Sequence, residues 1–409
     1  MSPVLAQLPD HQQKVIAVGS SIRKNLPILQ AFLQSLDWQS LPPNTRILPL
    51  FVPDFLGEQA DAEVYLREWT TTHGGELLRG VPSAAGDFSD AGATHQWSLE
   101  ATRRIAANKN RIIKRALQLN ADALFLVDAD LILDRQVLAQ LIADERPIVT
   151  AVYWTKWQRQ TKETQKQYAM PQCWLLNPYQ LSGRGMDDAE FRTKLVNREL
   201  QRVWGFGAAT LISRRVLETG LDFSPHPDAP QDGLNAWEDR QFCWKAERMH
   251  IEAWADSYPD IFHVYDSQLD VPKIPAMLQQ LGASHPQQAK LGDLVSLTPE
   301  ALEPVPTPRG PTIVPKQYPR GRLGQLPLMP EIEEAVLTMQ RGEIRTIPVH
   351  FPINHSLAYF RGRRRLIRIG LLDVKPFAAP VGLEEEIRVK AGTVMDKLLL
   401  TERQQQAVA

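Results

Sequence analysis

Strand-like and helix-like apolar patterns alternate along the first half of the chain, and this alternation constrains the fold more than any other feature. Lys14–Gly19, Arg46–Val52, Ala123–Val127 and Ile148–Val152 are short apolar runs typical of buried strands, while Leu99–Leu119 has the spacing of a long amphipathic helix. Parallel strands joined through helices need right-handed crossovers. We therefore predict an α/β fold with a mostly parallel sheet and helices on both faces. Such sheets bind ligands beyond the carboxyl ends of their strands.

The chain is long enough for more than one folded unit. Its 409 residues allow two or three domains, at roughly 100–200 residues per domain. Proline and glycine crowd Pro304–Pro330, which either links domains or forms a long loop inside the second one, and the polar stretch Gln158–Gln167 is predicted to be a mobile excursion. We predict a first domain over residues 1–285, a small α+β domain over 286–400 and a disordered tail over 401–409.

Charge and cysteine content narrow the partners and the compartment. The formal net charge of −1 gives no support to a nucleic-acid partner. Cys173 and Cys243 cannot build a disulfide framework and are predicted to be buried, reduced thiols. Met1–Lys14 lacks a signal-peptide pattern, and no apolar run approaches the roughly 18 residues of a membrane span. We expect a cytoplasmic protein without a transmembrane segment.

Two carboxylates follow the predicted strand Ala123–Val127 at the sheet edge where a ligand would lie. Asp128 and Asp130 are one residue apart, so their charges repel unless a cation lies between or beside them. Mg²⁺ and Mn²⁺ prefer oxygen ligands and usually take a few carboxylates together with substrate phosphates. The alternative interpretation is a strand end with solvated acids or a helix N-cap.

Two later segments also carry chemically useful side chains. Glu238 and Asp239 open a predicted helix after Trp237. Acids at a helix start also serve as ordinary compensation of the helix dipole. His263 lies on the apolar segment Ile261–Val264, where a histidine is a satisfied core residue, a metal ligand or a general base.

The order of these motifs is more informative than any motif alone. Asp128-Ala-Asp130 precedes the glycine-bearing turn Trp204–Gly207, which precedes Trp237-Glu-Asp239 and finally His263. Over about residues 15–264 this arrangement resembles the inverting GT-A glycosyltransferases, especially the family 2-like enzymes. The resemblance implies a GT-A Rossmann-like fold. It also implies metal-dependent transfer of a sugar, with inversion, from a UDP- or GDP-sugar to a hydroxyl of an acceptor glycan or protein.

The resemblance further implies roles for individual residues. Asp130 and His263 would hold Mn²⁺ or Mg²⁺, with Asp128 beside them contacting the metal through water or the nucleotide ribose. Asp239, with Glu238 next to it, would be the catalytic base. The residues implied in nucleotide binding are Ser20, Ser21, Arg23, Asp54, Asn108, Arg111 and Asp128. The residues predicted to face the sugar or acceptor are Trp204, Gly205 and Trp237.

The second domain has a pattern of its own. Pro330–Thr338 predicts a short helix with proline at its start, and Ile344–Phe351 predicts a strand. With the Gly342-Glu turn and the Phe360–Arg363 stretch, this segment resembles FKBP-type prolyl isomerase domains, in particular the trigger-factor kind. The family's aromatic-plus-aspartate pocket pattern is missing between residues 297 and 320. We therefore interpret it as a binding or positioning module that captures a polypeptide or a protein partner.

Two other functions share parts of this pattern. Phosphatases of the haloacid-dehalogenase type also place Asp-x-Asp at a strand end, but near the chain start and followed by small residues. Here the bulky Leu131–Leu133 follows. A non-catalytic sugar-nucleotide-binding domain fused to a chaperone-like domain is the other alternative, and the intact Asp130, Asp239 and His263 argue against it.

Overall fold

The structure is a computed structural model that describes residues 13–55, 59–81, 88–89, 96–160, 165–175, 188–229, 237–265, 267–301, 305–307, 310–312, 319–354 and 360–383. The predicted tail over 401–409 lies outside the described residues. The helices are α1 (Leu26–Asp37), α2 (Ala60–Thr72), α3 (Leu99–Gln118), α4 (Val137–Ala143), α5 (Asp188–Val196), α6 (Arg214–Leu217), α7 (Glu238–Arg248), α8 (Ser267–Asp270), α9 (Ile274–Leu281) and α10 (Pro330–Thr338).

The strands of the first two-thirds of the chain are β1 (Lys14–Ile22), β2 (Thr45–Pro53), β3 (Glu76–Leu77), β4 (Phe88–Ser89), β5 (Gln96–Trp97), β6 (Ala123–Leu126), β7 (Leu131–Leu133), β8 (Ile148–Ala151), β9 (Trp154–Gln160), β10 (Gln165–Pro171), β11 (Cys173–Trp174), β12 (Leu200–Val203), β13 (Gly205–Phe206), β14 (Thr210–Ser213), β15 (Ala253–Asp256) and β16 (Ile261–His263). The remaining strands are β17 (Leu294–Ala301), β18 (Val305–Thr307), β19 (Gly310–Thr312), β20 (Arg320–Arg322), β21 (Ile344–His350) and β22 (Arg364–Lys375).

An eight-stranded sheet organises the first part of the molecule, in the order β12-β15-β8-β14-β6-β1-β2-β3. The pairs β1–β2, β1–β6, β2–β3 and β8–β15 are parallel. Strand β14 runs antiparallel to both of its neighbours, and β12 runs antiparallel to β15. The prediction of an α/β fold with a mostly parallel sheet is confirmed.

Helices cover both faces of this sheet because its central strands are apolar on both sides. On β1, Ala17 packs into one hydrophobic cluster with Ile112 of α3, whereas Ile16 and Val18 pack into another with Phe32 of α1. This alternation follows from the two-residue period of a strand. None of the described helices is long and apolar enough to cross a membrane. Both cysteines are buried with free thiols, as predicted.

Local signals explain how the first strand and its flanking helices are placed. Helix α1 begins where the Asn25 side chain accepts a hydrogen bond from the backbone N–H of Ile28, with proline in the first turn. Gly19 lies where α3 crosses β1, and a Cβ atom there would be 2.4 Å from Ile112 Cγ2. Glycine therefore lets the helix approach the strand that leads into the site.

Within the polar stretch predicted to be a mobile excursion, Gln158–Gln160 and Gln165–Gln167 lie in strands, and residues 161–164 lie outside the described residues. Strands β9 and β10 pair antiparallel, with Trp154 opposite Pro171 and Gln160 opposite Gln165. Backbone hydrogen bonds between two strands do not require an apolar face. The spacing of apolar residues in the sequence therefore does not indicate such a pair of strands.

A second, antiparallel sheet follows in the order β20-β17-β22-β21, and we call it the C-terminal sheet. Helix α10 has the predicted bounds, and β21 ends one residue before the prediction. Val336 of α10 packs with Val349 and Leu371 in a hydrophobic cluster that belongs to this sheet. The likeness of this segment to an FKBP-type domain and the boundary at residue 285 stay predictions.

Buried ion pairs connect the C-terminal sheet to the first sheet. Arg320, at the start of β20, pairs with Asp144 after α4 and with Asp256 at the end of β15. The three side chains are at most 2% exposed. Such pairs tie two surfaces together because each charge, once buried, requires its partner.

Replacing Arg320 with Met should lower the free energy of unfolding by about 3–5 kcal/mol, because two buried carboxylates lose their counter-charge. Urea-induced unfolding of the purified variant measures the change. Arg202→Met is the matched control, since Arg202 makes a half-exposed pair with Glu252 at 3.3 Å and such pairs stabilise little. Equal effects of the two substitutions would contradict this account of the interface.

Candidate active site

A cavity of about 190 Å³ lies beyond the carboxyl ends of β1, β2 and β6. Parallel strands deliver the residues that follow them to this edge. Residues from widely separated segments meet in its wall: Ser21, Arg23, Lys24, Asp54, Arg104, Lys109, Asp128, Asp130, Tyr153, Trp237, Glu238, Asp239 and His263. The predicted aspartate pair, Glu-Asp pair and late histidine therefore share one cavity.

Asp130 and His263 face each other across the paired strands β7 and β16. The distance from His263 Nε2 to Asp130 Oδ2 is 3.7 Å. The other ring nitrogen, Nδ1, is 2.9 Å from the Thr155 hydroxyl. When that hydroxyl accepts from Nδ1–H, the lone pair of Nε2 points toward Asp130. The Tyr153 ring packs edge-on against His263, with ring centroids 5.2 Å apart.

Lys24 supplies a positive charge to the same carboxylate. Its Nζ lies 2.7 Å from Asp130 Oδ2, and both side chains are largely buried. Burial alone would raise the pKa of Asp130, but Lys24 and His263 outweigh it and hold that pKa well below its usual range. Asp130 is therefore ionised at neutral pH and already faces a cation.

The donor set suits a hard divalent cation that also binds a substrate. Asp130 Oδ1 is buried and has no hydrogen-bond partner among the described residues, which leaves one carboxylate oxygen for a metal. With His263 Nε2 it would provide two protein ligands. No group of three or more His, Cys, Asp or Glu side chains in the described part of the chain could hold a metal. Mg²⁺ and Mn²⁺ commonly complete such partial sets with phosphates and water.

Asp239 and Glu238 occupy the start of α7 and also line the cavity. Lys109 of α3 pairs with Glu238 at 2.9 Å, and Asp239 Oδ1 accepts from the backbone N–H of Arg240 at 2.7 Å. Desolvation in the cavity wall and then the Glu238 charge raise the pKa of Asp239 to about 6. A carboxylate with this pKa is ionised at neutral pH yet is a stronger base than an ordinary aspartate.

Lys109 interacts electrostatically with both groups of acidic residues in the cavity wall. Burial lowers its pKa, but Glu238 and then Asp128 outweigh that effect, so the pKa is raised above its usual value. The Asp128 side chain itself is exposed toward the cavity. A permanently charged lysine between these acids limits their mutual repulsion.

Some of the residues predicted to bind the nucleotide line the cavity, and others only hold a cavity residue in place. Asp54 lines the cavity and is paired with Arg104 at 3.2 Å, with both side chains at most 6% exposed. Arg23 also lines it. Asn108 is fully buried and donates to the Ser21 hydroxyl at 3.1 Å, so it positions Ser21 rather than facing the cavity.

Ser20 needs a similar correction. Its side chain is 2% exposed and lines a smaller neighbouring cavity between β1, β6 and α3. Its neighbour Ser21 lines both this smaller cavity and the main one, so Ser21 is the serine that faces the main cavity.

Three further predictions are corrected by the tertiary structure. Trp204 is 3% exposed and packs against Trp174, with ring centroids 6.5 Å apart, so it is a core residue and not a sugar-stacking surface. Gly205 lies under the same Trp174 ring, because a Cβ atom at this position would come within 2.3 Å of atoms of that ring. Arg111 is exposed and donates to the backbone carbonyl of Arg79, away from the cavity. Of the predicted sugar-facing residues, Trp237 lines the cavity.

The structure adds cavity residues that sequence reasoning missed, namely Lys24, Arg104, Lys109, Tyr153 and Thr155. A signal existed for Lys109. It is three residues before Ile112 and three after Ala106, both buried, and so lies on the apolar face of α3. A lysine on such a face is a candidate for a buried ion pair. Two others had comparable signals: Arg104 is three residues after the buried Ala101 on α3, and Tyr153 directly follows the predicted strand Ile148–Val152.

No family model matches the chain, and no curated protein matches it. Similar solved structures include TarS of S. aureus, which is 13% identical with a TM-score of 0.33. The match covers 56% of this chain and 33% of the TarS chain. The mannosyltransferase PcManGT from Pyrobaculum calidifontis, solved with GDP-Man and Mn²⁺, is 15% identical with a TM-score of 0.35, over 60% of this chain and 55% of its own.

A third similar structure is GalNAc-T7 with UDP, GalNAc and Mn²⁺, which is 12% identical with a TM-score of 0.37 and covers 62% of this chain and 44% of its own. The match therefore spans between a third and a little over half of the length of these three chains.

Proposed function

We propose that this protein is an enzyme that transfers a sugar from a nucleotide-diphospho-sugar to an acceptor hydroxyl. One observation carries the proposal: Asp130, Asp239 and His263 are far apart in sequence but line the same cavity at the carboxyl edge of the sheet. A cation-binding pair and a carboxylate of raised pKa thus face one space. Metal-assisted group transfer needs both.

The diphosphate would lie beside Asp130 and His263. A divalent cation held there, Mn²⁺ or Mg²⁺, would neutralise charge on the departing nucleoside diphosphate. Lys24, next to Asp130, can donate to the same phosphates. Asp54, which follows β2, and its partner Arg104 of α3 line the same cavity and could bind the base or ribose of the donor.

Asp239 would be the general base. Its ionised carboxylate takes the proton of the acceptor hydroxyl while that oxygen forms a bond to the anomeric carbon. The bond from the anomeric carbon to the diphosphate oxygen breaks on the opposite face, so the anomeric configuration inverts. Glu238, held by Lys109, keeps the negative potential that raises the pKa of Asp239. Trp237 offers a ring at the same cavity wall for the sugar or the acceptor.

The finer assignments belong to the same proposal. The donor would be a UDP- or GDP-sugar, and the acceptor a glycan or a protein. The FKBP-like pattern of the C-terminal segment, which would bind a polypeptide, favours a protein acceptor. A cytoplasmic location stays a prediction.

Thermal unfolding with nucleotide-sugars, with and without Mn²⁺, tests this proposal. One donor should stabilise the protein only when Mn²⁺ is present, by about 2.7 kcal/mol at a hundred times its Kd. The same donor should then be hydrolysed slowly or transferred to an acceptor. Stabilisation by phosphate analogues alone would point instead to a phosphatase. Metal-dependent binding without turnover of any donor would point to a non-catalytic sugar-nucleotide-binding protein.

The pH dependence of kcat/KM should reveal the raised pKa of Asp239. Since the base must be ionised, the rate should fall about tenfold per pH unit below about pH 6 and level off above pH 7. Glu238→Gln removes the adjacent negative charge and releases Lys109, so the acid limb should move to lower pH. A limb near pH 4 in the wild-type enzyme would contradict the assignment of Asp239.

A further inference from the structure

Strands β7 and β16 form a two-stranded ribbon that connects the site to a second cluster of buried charges. Backbone hydrogen bonds extend the ribbon at both ends. Val264 N–H donates to Asp130 O at 2.9 Å, and Asp134 N–H donates to Asp260 O at 2.9 Å. One end therefore carries Asp130 and His263, and the other carries Asp134 and Asp260. We call these the site end and the anchor end.

A lysine of the C-terminal sheet holds the anchor end. Lys375, the last residue of β22, places Nζ 2.8 Å from Asp260 Oδ2 and 3.9 Å from Asp134 Oδ2. The same ammonium group donates to the Tyr258 carbonyl at 2.5 Å. From the other side, Arg198 pairs with Asp260 Oδ1 at 2.7 Å. Lys375 is thus the one charged group here that contacts both carboxylates of the anchor end among the pairs found in the described residues.

Two further contacts reinforce this junction. His285 lies between Asp134 and Asp373 of β22, with Nε2 3.5 Å from the first carboxylate and Nδ1 2.8 Å from the second. Beyond β22, the backbone N–H of Val381 donates to Asp260 Oδ1 at 3.3 Å. The C-terminal segment therefore contacts the anchor end through two successive parts of its chain.

Each strand of the ribbon has three residues and pairs with no third strand of the described chain. Its apolar side chains are buried in two hydrophobic clusters that include residues of α1 and α9, and closely packed interiors transmit strain. Asp134 comes four positions after Asp130, about 13 Å along an extended chain. A displacement at the anchor end is therefore passed to the site end, where small errors in ligand placement are costly.

We propose that Lys375 is a positioning residue for the cation site. It acts through Asp134 and Asp260 and keeps the ribbon in the position that sets the spacing of Asp130 and His263. The C-terminal sheet then has a role in donor binding, independent of any polypeptide that it captures. This inference rests on the proposed function, because it assigns a cation to the site end.

Lys375→Met is the test, with Mn²⁺ binding to the folded full-length protein followed by electron paramagnetic resonance in the presence of UDP or GDP. The affinity for Mn²⁺ should fall about tenfold, as for other residues that orient metal ligands. The KM for Mn²⁺ should rise by a similar factor, with kcat largely recovered at saturating Mn²⁺. Lys375→Arg keeps the charge and should retain most of the affinity.

Two controls separate positioning from general loss of stability. Lys290→Met removes an exposed lysine near the start of the C-terminal sheet and should change nothing. Arg320→Met destabilises the same junction, but its partners Asp144 and Asp256 lie outside the ribbon, so Mn²⁺ affinity should stay at the wild-type value. Any fall should be small beside that of Lys375→Met.

The possible outcomes are distinguishable. Wild-type Mn²⁺ affinity in Lys375→Met, or an equal loss of affinity in Arg320→Met, overturns the inference while the proposed function stands. A wild-type protein that binds neither Mn²⁺ nor a nucleotide-sugar overturns the proposed function and the inference with it. A selective loss in Lys375→Met that Lys375→Arg restores supports the inference.

Discussion

Asp239→Asn should lower kcat for sugar transfer by about 10²–10⁴-fold, the usual contribution of a positioned general base. Asparagine has nearly the same shape but cannot take a proton from the acceptor hydroxyl. Because Asp239 is not one of the two residues that would bind the cation, the donor and Mn²⁺ should bind with nearly unchanged Kd. Initial-rate kinetics with the identified donor and calorimetric titration of its nucleoside diphosphate measure the two quantities separately.

The matched control for this substitution is Asp228→Asn, since the Asp228 side chain is 78% exposed. It should leave kcat and Kd at their wild-type values. An Asp239→Asn enzyme that transfers sugar at the wild-type rate would show that another group removes the proton. Glu238 would be the next candidate, because it shares the cavity wall.

Asp130→Asn should abolish measurable Mn²⁺ binding and lower transfer by about 10²–10⁴-fold. The substitution removes the buried negative charge that both Lys24 and a metal would use. Metal stabilisation of a leaving diphosphate contributes several kcal/mol, and each 1.36 kcal/mol is about tenfold in rate. Rates measured against Mn²⁺ concentration, with bound Mn²⁺ followed by electron paramagnetic resonance, give both effects.

Asp222→Asn provides the control for Asp130→Asn. Asp222 is also paired with a lysine, Lys245 of α7, but it lies outside the cavity. Loss of that pair should leave Mn²⁺ binding unchanged. If the Asp130→Asn enzyme kept both its rate and its metal affinity, the cation would not be held by this carboxylate.

Local sequence patterns were sufficient for most elements of the first sheet. The strand pattern at Arg46–Val52 became β2 with one more residue at each end, and Leu99–Leu119 became α3 with its last residue removed. These predictions depend on the period of apolar residues, which is a property of neighbouring positions. The antiparallel β14, inserted between β6 and β8, could not be predicted this way, because strand order depends on contacts between distant segments.

The candidate site, too, could be predicted only in part from patterns of neighbouring residues. The Asp128-Asp130 pair was visible because it directly follows a buried strand, and the edge to which a parallel strand leads is known in advance. Trp204 was misassigned because it is next to a motif in the sequence. In the folded chain it packs against Trp174 instead. Lys24 was missed because its partner Asp130 is more than a hundred residues away.

The sequence by itself determined the alternation of strands and helices, and with it the sheet and the edge at which acidic residues collect. These follow from the spacing of apolar residues, which acts over a few positions. Only the tertiary structure decided which acids, histidine and lysines meet, and that Lys375 reaches the far end of the ribbon. Ion pairs form between side chains whose separation along the chain carries no information about their distance in space, so they exist only once the whole chain has folded.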